Sequence, residues 1–253
     1  QVKHHGYEYL DAVVEINPRE GEHALRTEDI VAKINEVGEE CALVFFSGVQ
    51  YYTGQAFNIK ALTEAAHFVG AYAGFDCAHA AGNIKMELHD WNVDFAAWCT
   101  YKYMNSSPGG VSGIFVHNKH GENPETPRLA GWWGHKESER FQMKKGFIPE
   151  PGAAGWQLSN APVLAMAAHK ASLDMFDEVG MGALVAKGKK LNAFLEQVIM
   201  DAQTANDKLE FTIITPEERG CQLSMLANEN GKALFDYLTE RDVIADWREP
   251  NVI

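Results

Sequence analysis

The sequence predicts an α/β protein: a mostly parallel sheet flanked by helices, followed by a smaller C-terminal α+β part. Three observations carry that expectation. Short apolar runs alternate with helix-spaced stretches through the first half, polar residues gather just after those runs, and past residue 180 the rhythm changes. Alternation of this kind marks βαβ units. The expected division is 1–180, part of a large domain, and 181–253, part of a small one.

Thr27 reads as the cap of a first helix, with Glu28 and Asp29 in its first turn and Ile30, Val31, Ile34 and Val37 on one face. Cys41 to Phe46 is a continuous apolar run, as in a strand buried on both faces. Residues 47–55 make a polar, glycine-containing loop. Ile59 to Ala73 is helical by spacing, with Leu62, Ala65, Ala66 and Val69 in one stripe. The runs Ala73–Phe75, Asp94–Cys99 and Ile114–Val116 predict further strands. From Glu122 to Gly155, prolines and glycines break any long regular element, and Trp132 and Trp133 sit inside that stretch. A segment this long without periodicity is usually functional or partner-contacting. Pro162 fits the first turn of a helix running to about Val179, and Leu184, Leu191, Phe194, Leu195 and Val198 mark another. Leu209–Ile214, Cys221–Ala227 and Val243–Ala245 read as strands, with Ala233–Leu238 helical between them.

Composition narrows the function. With 22 Lys and Arg against 35 Asp and Glu, the formal charge is −13 and spread along the chain, which disfavours nonspecific binding to nucleic acid or an anionic membrane. No apolar run approaches the ~20 residues that span a bilayer, and Gln1 to Leu10 lacks the layout of a signal peptide. Cys41, Cys77, Cys99 and Cys221 are isolated, with no CxxC pair, and read as reduced thiols of a cytoplasmic protein. There is no initiator Met, and the sequence stops at Ile253 just as a new apolar run begins, so the chain reads as a fragment truncated at both ends.

In a parallel sheet, ligands collect beyond the carboxyl ends of the strands. Ser47, Asp76 and Lys102 all lie just after such runs. Alone, Lys102 is more often a solvated surface lysine and Asp76 a turn residue, but together on consecutive strand ends they fit pyridoxal-phosphate (PLP) chemistry. That chemistry needs an amine to condense with the aldehyde and an anion to keep the pyridine nitrogen protonated. Lys102 suits the first, flanked by Tyr101 and Tyr103 and followed by the loop Asn105-Ser106-Ser107-Pro108-Gly109-Gly110, and Asp76 suits the second. Asp76 with His79 could instead be half of a metal site completed by His89 and Asp90, although no tight ligand spacing supports it. The other histidines are assigned no role. No GxSxG, Walker loop or GxGxxG is present, so triad hydrolase, NTPase and Rossmann readings lack support.

Five stretches together resemble kynureninase: 45–55 (FFSGVQYYTGQ), 74–83 (GFDCAHAAGN), 89–103 (HDWNVDFAAWCTYKY), 131–135 (GWWGH) and 155–160 (GWQLSN). The resemblance covers most of residues 1–180. It implies a fold-type I PLP-dependent enzyme that hydrolyses the Cβ–Cγ bond of L-kynurenine to anthranilate and L-alanine, and that also accepts 3-hydroxykynurenine. By the same resemblance, Lys102 would bind PLP covalently and shuttle the α-proton, Asp76 would pair with the pyridine nitrogen and His79 would support the ring. Tyr101 would reach the phosphate and assist proton transfer. Ser47 and Tyr52 would help hold the cofactor, and Trp132 and Asn160 would meet cofactor or substrate at the boundary of a homodimer. Trp133 reads more simply as buried packing. The family's phosphate loop, its ring-stacking phenylalanine and its carboxylate-binding arginine fall outside this sequence, and Arg248, just before Pro250-Asn251, matches that arginine poorly. The alternatives are another fold-type I enzyme, such as a cysteine desulfurase-like protein, or an inactive fragment of the PLP fold.

Overall fold

The computed structural model describes residues 2–206, 211–227 and 230–253. Its centre is a four-stranded sheet in the order β1 (Leu43–Ser47), β2 (Tyr72–Asp76), β3 (Phe95–Cys99) and β4 (Ser112–Val116). The first three strands are parallel and β4 runs antiparallel to β3. Helix α1 (Thr27–Val37) precedes β1, and α2 (Ile59–Phe68) makes the crossover to β2.

Both helices follow the apolar spacing. Ile30 and Ile34 of α1 and Leu62, Ala65 and Ala66 of α2 are buried in one core with Val44, Phe75, Val93 and Ala96. Burying a side chain such as Leu62 completely contributes roughly 1.5–3 kcal/mol. Two helix ends differ from the sequence reading. Arg26, in extended conformation, is the N-cap of α1, and Thr27 is its first helical residue. Helix α2 is capped by Asn58, whose side chain accepts from the Ala61 amide at 3.1 Å, and it ends at Phe68, because Gly70 takes a φ of 83° and turns the chain into β2.

Burial on both faces of β1 is not borne out. Side chains alternate across a strand, and the ladder aligns Leu43 with Tyr72, Phe45 with Gly74, and Gly74 with Phe95. On that face Leu43 is 46% exposed, Phe45 56% and Tyr72 58%. Helix α2 packs against the opposite face, that of Val44 and Phe75.

Beyond β4, residues 122–155 are largely irregular, as the prolines and glycines predict. Helix α3 (Val163–Val179) has Pro162 as its N-cap, one position earlier than expected, and Gly180 (φ 77°) separates it from α4 (Met181–Ala205). A two-stranded antiparallel sheet of β5 (Phe211–Ile213) and β6 (Met225–Ala227) and helix α5 (Gly231–Thr239) follow. The expected strand from Leu209 begins outside the described residues; within them it is confirmed from Phe211. Cys221 to Ser224 lie outside β6. Val243–Ala245 form no strand: Val243 and Ile244 are exposed, and β6 is joined instead by Asn251 and Ile253.

Candidate active site

Ser47 and Asp76 are neighbours across the β1–β2 ladder, at the carboxyl ends of both strands and on the open face of the sheet. The Asp76 carboxylate accepts from the Ala78 amide at 2.8 Å, starting the turn that carries His79. Backbone bonds tie that corner together: Gly48 N–H donates to the Asp76 carbonyl and Cys77 N–H to the Ala97 carbonyl, both at 2.8 Å. Burial, with Asp76 adjacent, pushes the Cys77 thiol up to about 12, so it stays protonated and inert.

Lys102 comes to the same place from the β3–β4 connection. Its Nζ lies 2.9 Å from Nε2 of His79. Two devices hold this approach. At Gly82, with φ 78°, a Cβ would stand 2.8 Å from the carbonyl of Tyr103, so only a residue without a side chain lets the two loops touch. Asn83 bonds the His79 carbonyl at 2.9 Å through Nδ2 and receives the Cys221 amide at 2.8 Å on Oδ1. The base of the lysine loop is closed by Thr100 and Ser106, both buried, whose hydroxyls bond each other while Thr100 also bonds the Val111 carbonyl.

Electrostatics set the protonation state of His79. Burial lowers its tendency to protonate, the nearby cations Lys102 and Arg248 lower it further, and Asp76 and Asp246 oppose them. A neutral imidazole with Nε2 accepting from the lysine carries its proton on Nδ1. That Nδ1 is buried with no hydrogen-bond partner among the described residues. Tyr103 is pushed up by burial, with Cys221 and Asp246 adding to it. Tyr101 is exposed, and its contact with Cys99 raises its phenol above the ordinary value.

Of the remaining candidates, among the described residues only Tyr52 joins this cluster, edge-on to Tyr51 at 6.4 Å, and the Tyr51 ring lies 6.3 Å from that of His79. Trp132 is 51% exposed, donates from Nε1 to the Arg140 carbonyl at 3.2 Å and packs edge-on against Phe141. Trp133 lies under the Arg140 guanidinium at 4.4 Å. Asn160 is exposed. The two segments meet one another all the same: Gly131 packs so closely on Leu158 that a Cβ would fall 2.2 Å from its Cα. Tyr52 is half-buried in the loop after β1, where Gln222 approaches its carbonyl at 3.4 Å. His89 stacks on His117 at 4.7 Å and pairs with Asp90, and no group of three or more metal-ligating side chains occurs among the described residues.

Sequence reasoning missed Asn83, Gly82 and the Thr100–Ser106 clasp as site-building residues, although Asn83 and Gly82 lie inside a motif it singled out. It set Arg248 aside, yet the C-terminal hairpin, closed by an antiparallel bridge between Arg248 and Val252, brings that guanidinium 5.6 Å from the ring of Tyr51.

These residues fit PLP. The amine and the carboxylate stand on adjoining strand ends, and the imidazole between them has an unsatisfied buried nitrogen. The chain belongs to the aminotransferase class-V family, whose profile matches residues 8–234. Within that class it is similar to kynureninases: 57% identical to that of Flavobacterium johnsoniae, 46% to that of Myxococcus xanthus and 47% to that of Nematostella vectensis, each over the whole chain. The alignments cover 60%, 59% and 57% of those proteins, so the chain spans about three-fifths of the length of the curated relatives it matches. Among solved structures it resembles a variant of C-DES with glycine linked to its PLP cofactor (TM-score 0.71, 16% identity, 88% of this chain and 57% of that one). It also resembles the apo cysteine desulfurase of Thermococcus onnurineus (TM-score 0.65, 16% identity, 90% and 54%). At those identities the structures establish the fold, that of the fold-type I PLP enzymes.

Proposed function

We propose that this chain carries the catalytic lysine side of a kynureninase, a PLP-dependent hydrolase that cleaves the Cβ–Cγ bond of L-kynurenine, and of 3-hydroxykynurenine, to an anthranilate and L-alanine. The observation that carries the reading is the Lys102–His79 contact of 2.9 Å beside Asp76. The identities of 46–57% to kynureninases, against 16% to the desulfurase structure, favour this reaction over the others the fold supports.

Bound PLP would supply an aldehyde to capture the substrate amine and a ring to accept electrons from the breaking bonds. The protein supplies the rest. Lys102 holds the cofactor and then moves the proton at the substrate α-carbon. The Asp76 carboxylate would pair with the pyridine nitrogen, and His79, which contacts Lys102, would support the ring. Tyr101, its phenol held protonated, has a proton to give to the departing carbon. Ser47 and Tyr52, from the end of β1 and the loop after it, help hold the cofactor. Trp132 and Asn160 meet cofactor or substrate across a dimer boundary, a role supported by their exposure in the irregular aromatic stretch and its sequel.

The division at residue 180 belongs to the same proposal, supported by the break at Gly180 and by the separate β5–β6 sheet. So do a cytoplasmic location and a homodimer. Among the described residues no helix is long and apolar enough to cross a membrane.

The test is made on the full-length protein. Adding PLP is expected to give a visible absorbance band, and L-kynurenine to release fluorescent anthranilate. Lys102→Ala is expected to abolish the band and lower anthranilate release by roughly a thousandfold or more. No band on the unsubstituted protein at saturating PLP would overturn the cofactor assignment, and undiminished anthranilate release by Lys102→Ala would overturn the role of the lysine.

A further inference from the structure

The C-terminal hairpin is built to deliver one side chain. Arg248 and Val252 exchange backbone hydrogen bonds of 2.8 Å in both directions. Val252 is buried, and the segment after it is stitched to β6, with Met225 bonding Ile253 and Ala227 bonding Asn251. This fixes the Arg248 guanidinium over Tyr51, at 5.6 Å from the ring centroid. Tyr51 in turn lies 6.3 Å from the His79 ring, which is itself 2.9 Å from the lysine amine. The loop after β1, the turn after β2, the loop after β3 and the C-terminal hairpin therefore converge in one line of contacts. An arginine over an aromatic face is attracted to its quadrupole, so the guanidinium has a reason to stay.

We propose that Arg248 is a positioning residue of the site: by holding Tyr51 against His79 and placing a permanent cation behind it, Arg248 keeps the imidazole as the acceptor for Lys102. The proposal rests on the reading of Lys102 and His79 as parts of the cofactor site.

The charge arithmetic around the imidazole supports it. Lys102 and Tyr103 face His79 from the loop after β3, Asp76 from the end of β2, Tyr51 from the loop after β1, and Arg248 and Asp246 from the hairpin. The two cations disfavour the imidazolium and the two carboxylates favour it. Arg248 also occupies Asp246, at 2.7 Å. Its removal would subtract a cation and release an anion, and both changes favour protonation of His79. A protonated His79 has no lone pair to offer and repels the ammonium it should receive.

The experiment uses the full-length protein and three variants, Arg248→Gln, Arg248→Lys and Asp246→Asn. The titration of His79 is followed by NMR of ring-labelled histidine, assigned with His79→Gln, and kcat/KM for L-kynurenine is measured against pH. In Arg248→Gln the His79 midpoint and the acidic limb of kcat/KM are expected to move up together, by about half a unit to one unit. That shift corresponds to roughly a threefold to tenfold loss on the acidic side. Arg248→Lys should restore most of the shift by restoring charge, and Asp246→Asn should move His79 the other way. An Arg248→Gln protein that loses activity while His79 titrates unchanged overturns the proposal and leaves Arg248 a merely structural residue. The NMR midpoint is read without cofactor, whereas PLP absorbance on the unsubstituted protein reads the site assignment, so the two failures are told apart.

Discussion

At position 94 a carboxylate with 3% of its side chain exposed is held from four directions. It accepts from the Ala73 amide at 2.7 Å, His67 at 2.8 Å, His120 at 2.7 Å and Lys119 at 2.7 Å. Burial pushes its acidity toward the neutral form, but the Ala73 amide, Lys119 and the two imidazoles outweigh that and hold it far below the ordinary carboxylate value. A depressed folded value means stabilisation that is present above the unfolded value of about 3.9 and is lost as pH falls below it. Asp94→Asn is therefore expected to cost about 3 kcal/mol at pH 7 and about 1 kcal/mol less at pH 3, measured by urea unfolding at both pH values. Equal losses at both would sink this account. Asp94 also explains why parts of the molecule escaped the sequence. Asp76, His79 and Lys102 could be singled out because Asp76 ends a strand and the other two follow one by three residues. Asp94 read only as the start of a strand, and its partners at 67, 73, 119 and 120 come from three places that no local pattern joins.

Elements were legible wherever burial imposed a period. Helices α1 and α2 showed through the 3.6 spacing of their inward faces, and strands β1 to β4 through short apolar runs, although the reading carried α2 five residues past Phe68. Where the end of an element depends on a single backbone angle, as at Gly70, periodicity ran past it. Val243–Ala245 failed for a different reason: apolar residues in a row need a partner strand, and the chain spent its pairing on Asn251 and Ile253 instead. The β3–β4 connection was read as a loop with room for a cofactor, but its closed base was not seen. Ser106→Ala removes a buried hydroxyl from Thr100 and should cost about 1–3 kcal/mol. If the clasp positions Lys102, the same variant of the full-length protein should bind PLP several-fold more weakly, measured by titrating the visible band. Unchanged affinity would confine the clasp to stability.

On the scale of the whole chain, the sheet presents one unfilled side. Leu43, Phe45, Tyr72 and Ile114 lie there, each more than 45% exposed, and Phe95 lies across Gly74 and stacks with Phe45 at 6.3 Å. A parallel sheet is ordinarily covered on both faces, and a contiguous apolar face of this kind drives association. The 253-residue chain on its own is expected to bind the dye ANS and to self-associate with concentration, by light scattering. Phe45→Lys together with Tyr72→Lys should reduce both. Undiminished association in the double variant would place the sticky surface elsewhere.

Gly82 offers a practical test of a different sort. The contact between the histidine turn and the lysine loop depends on an atom that is missing, and a search for functional groups does not look for missing atoms. A gene copy could keep Lys102, Asp76 and His79 intact and still encode a dead site through one added methyl group at position 82. Anyone sorting active copies from relics in a new genome can therefore read that codon first.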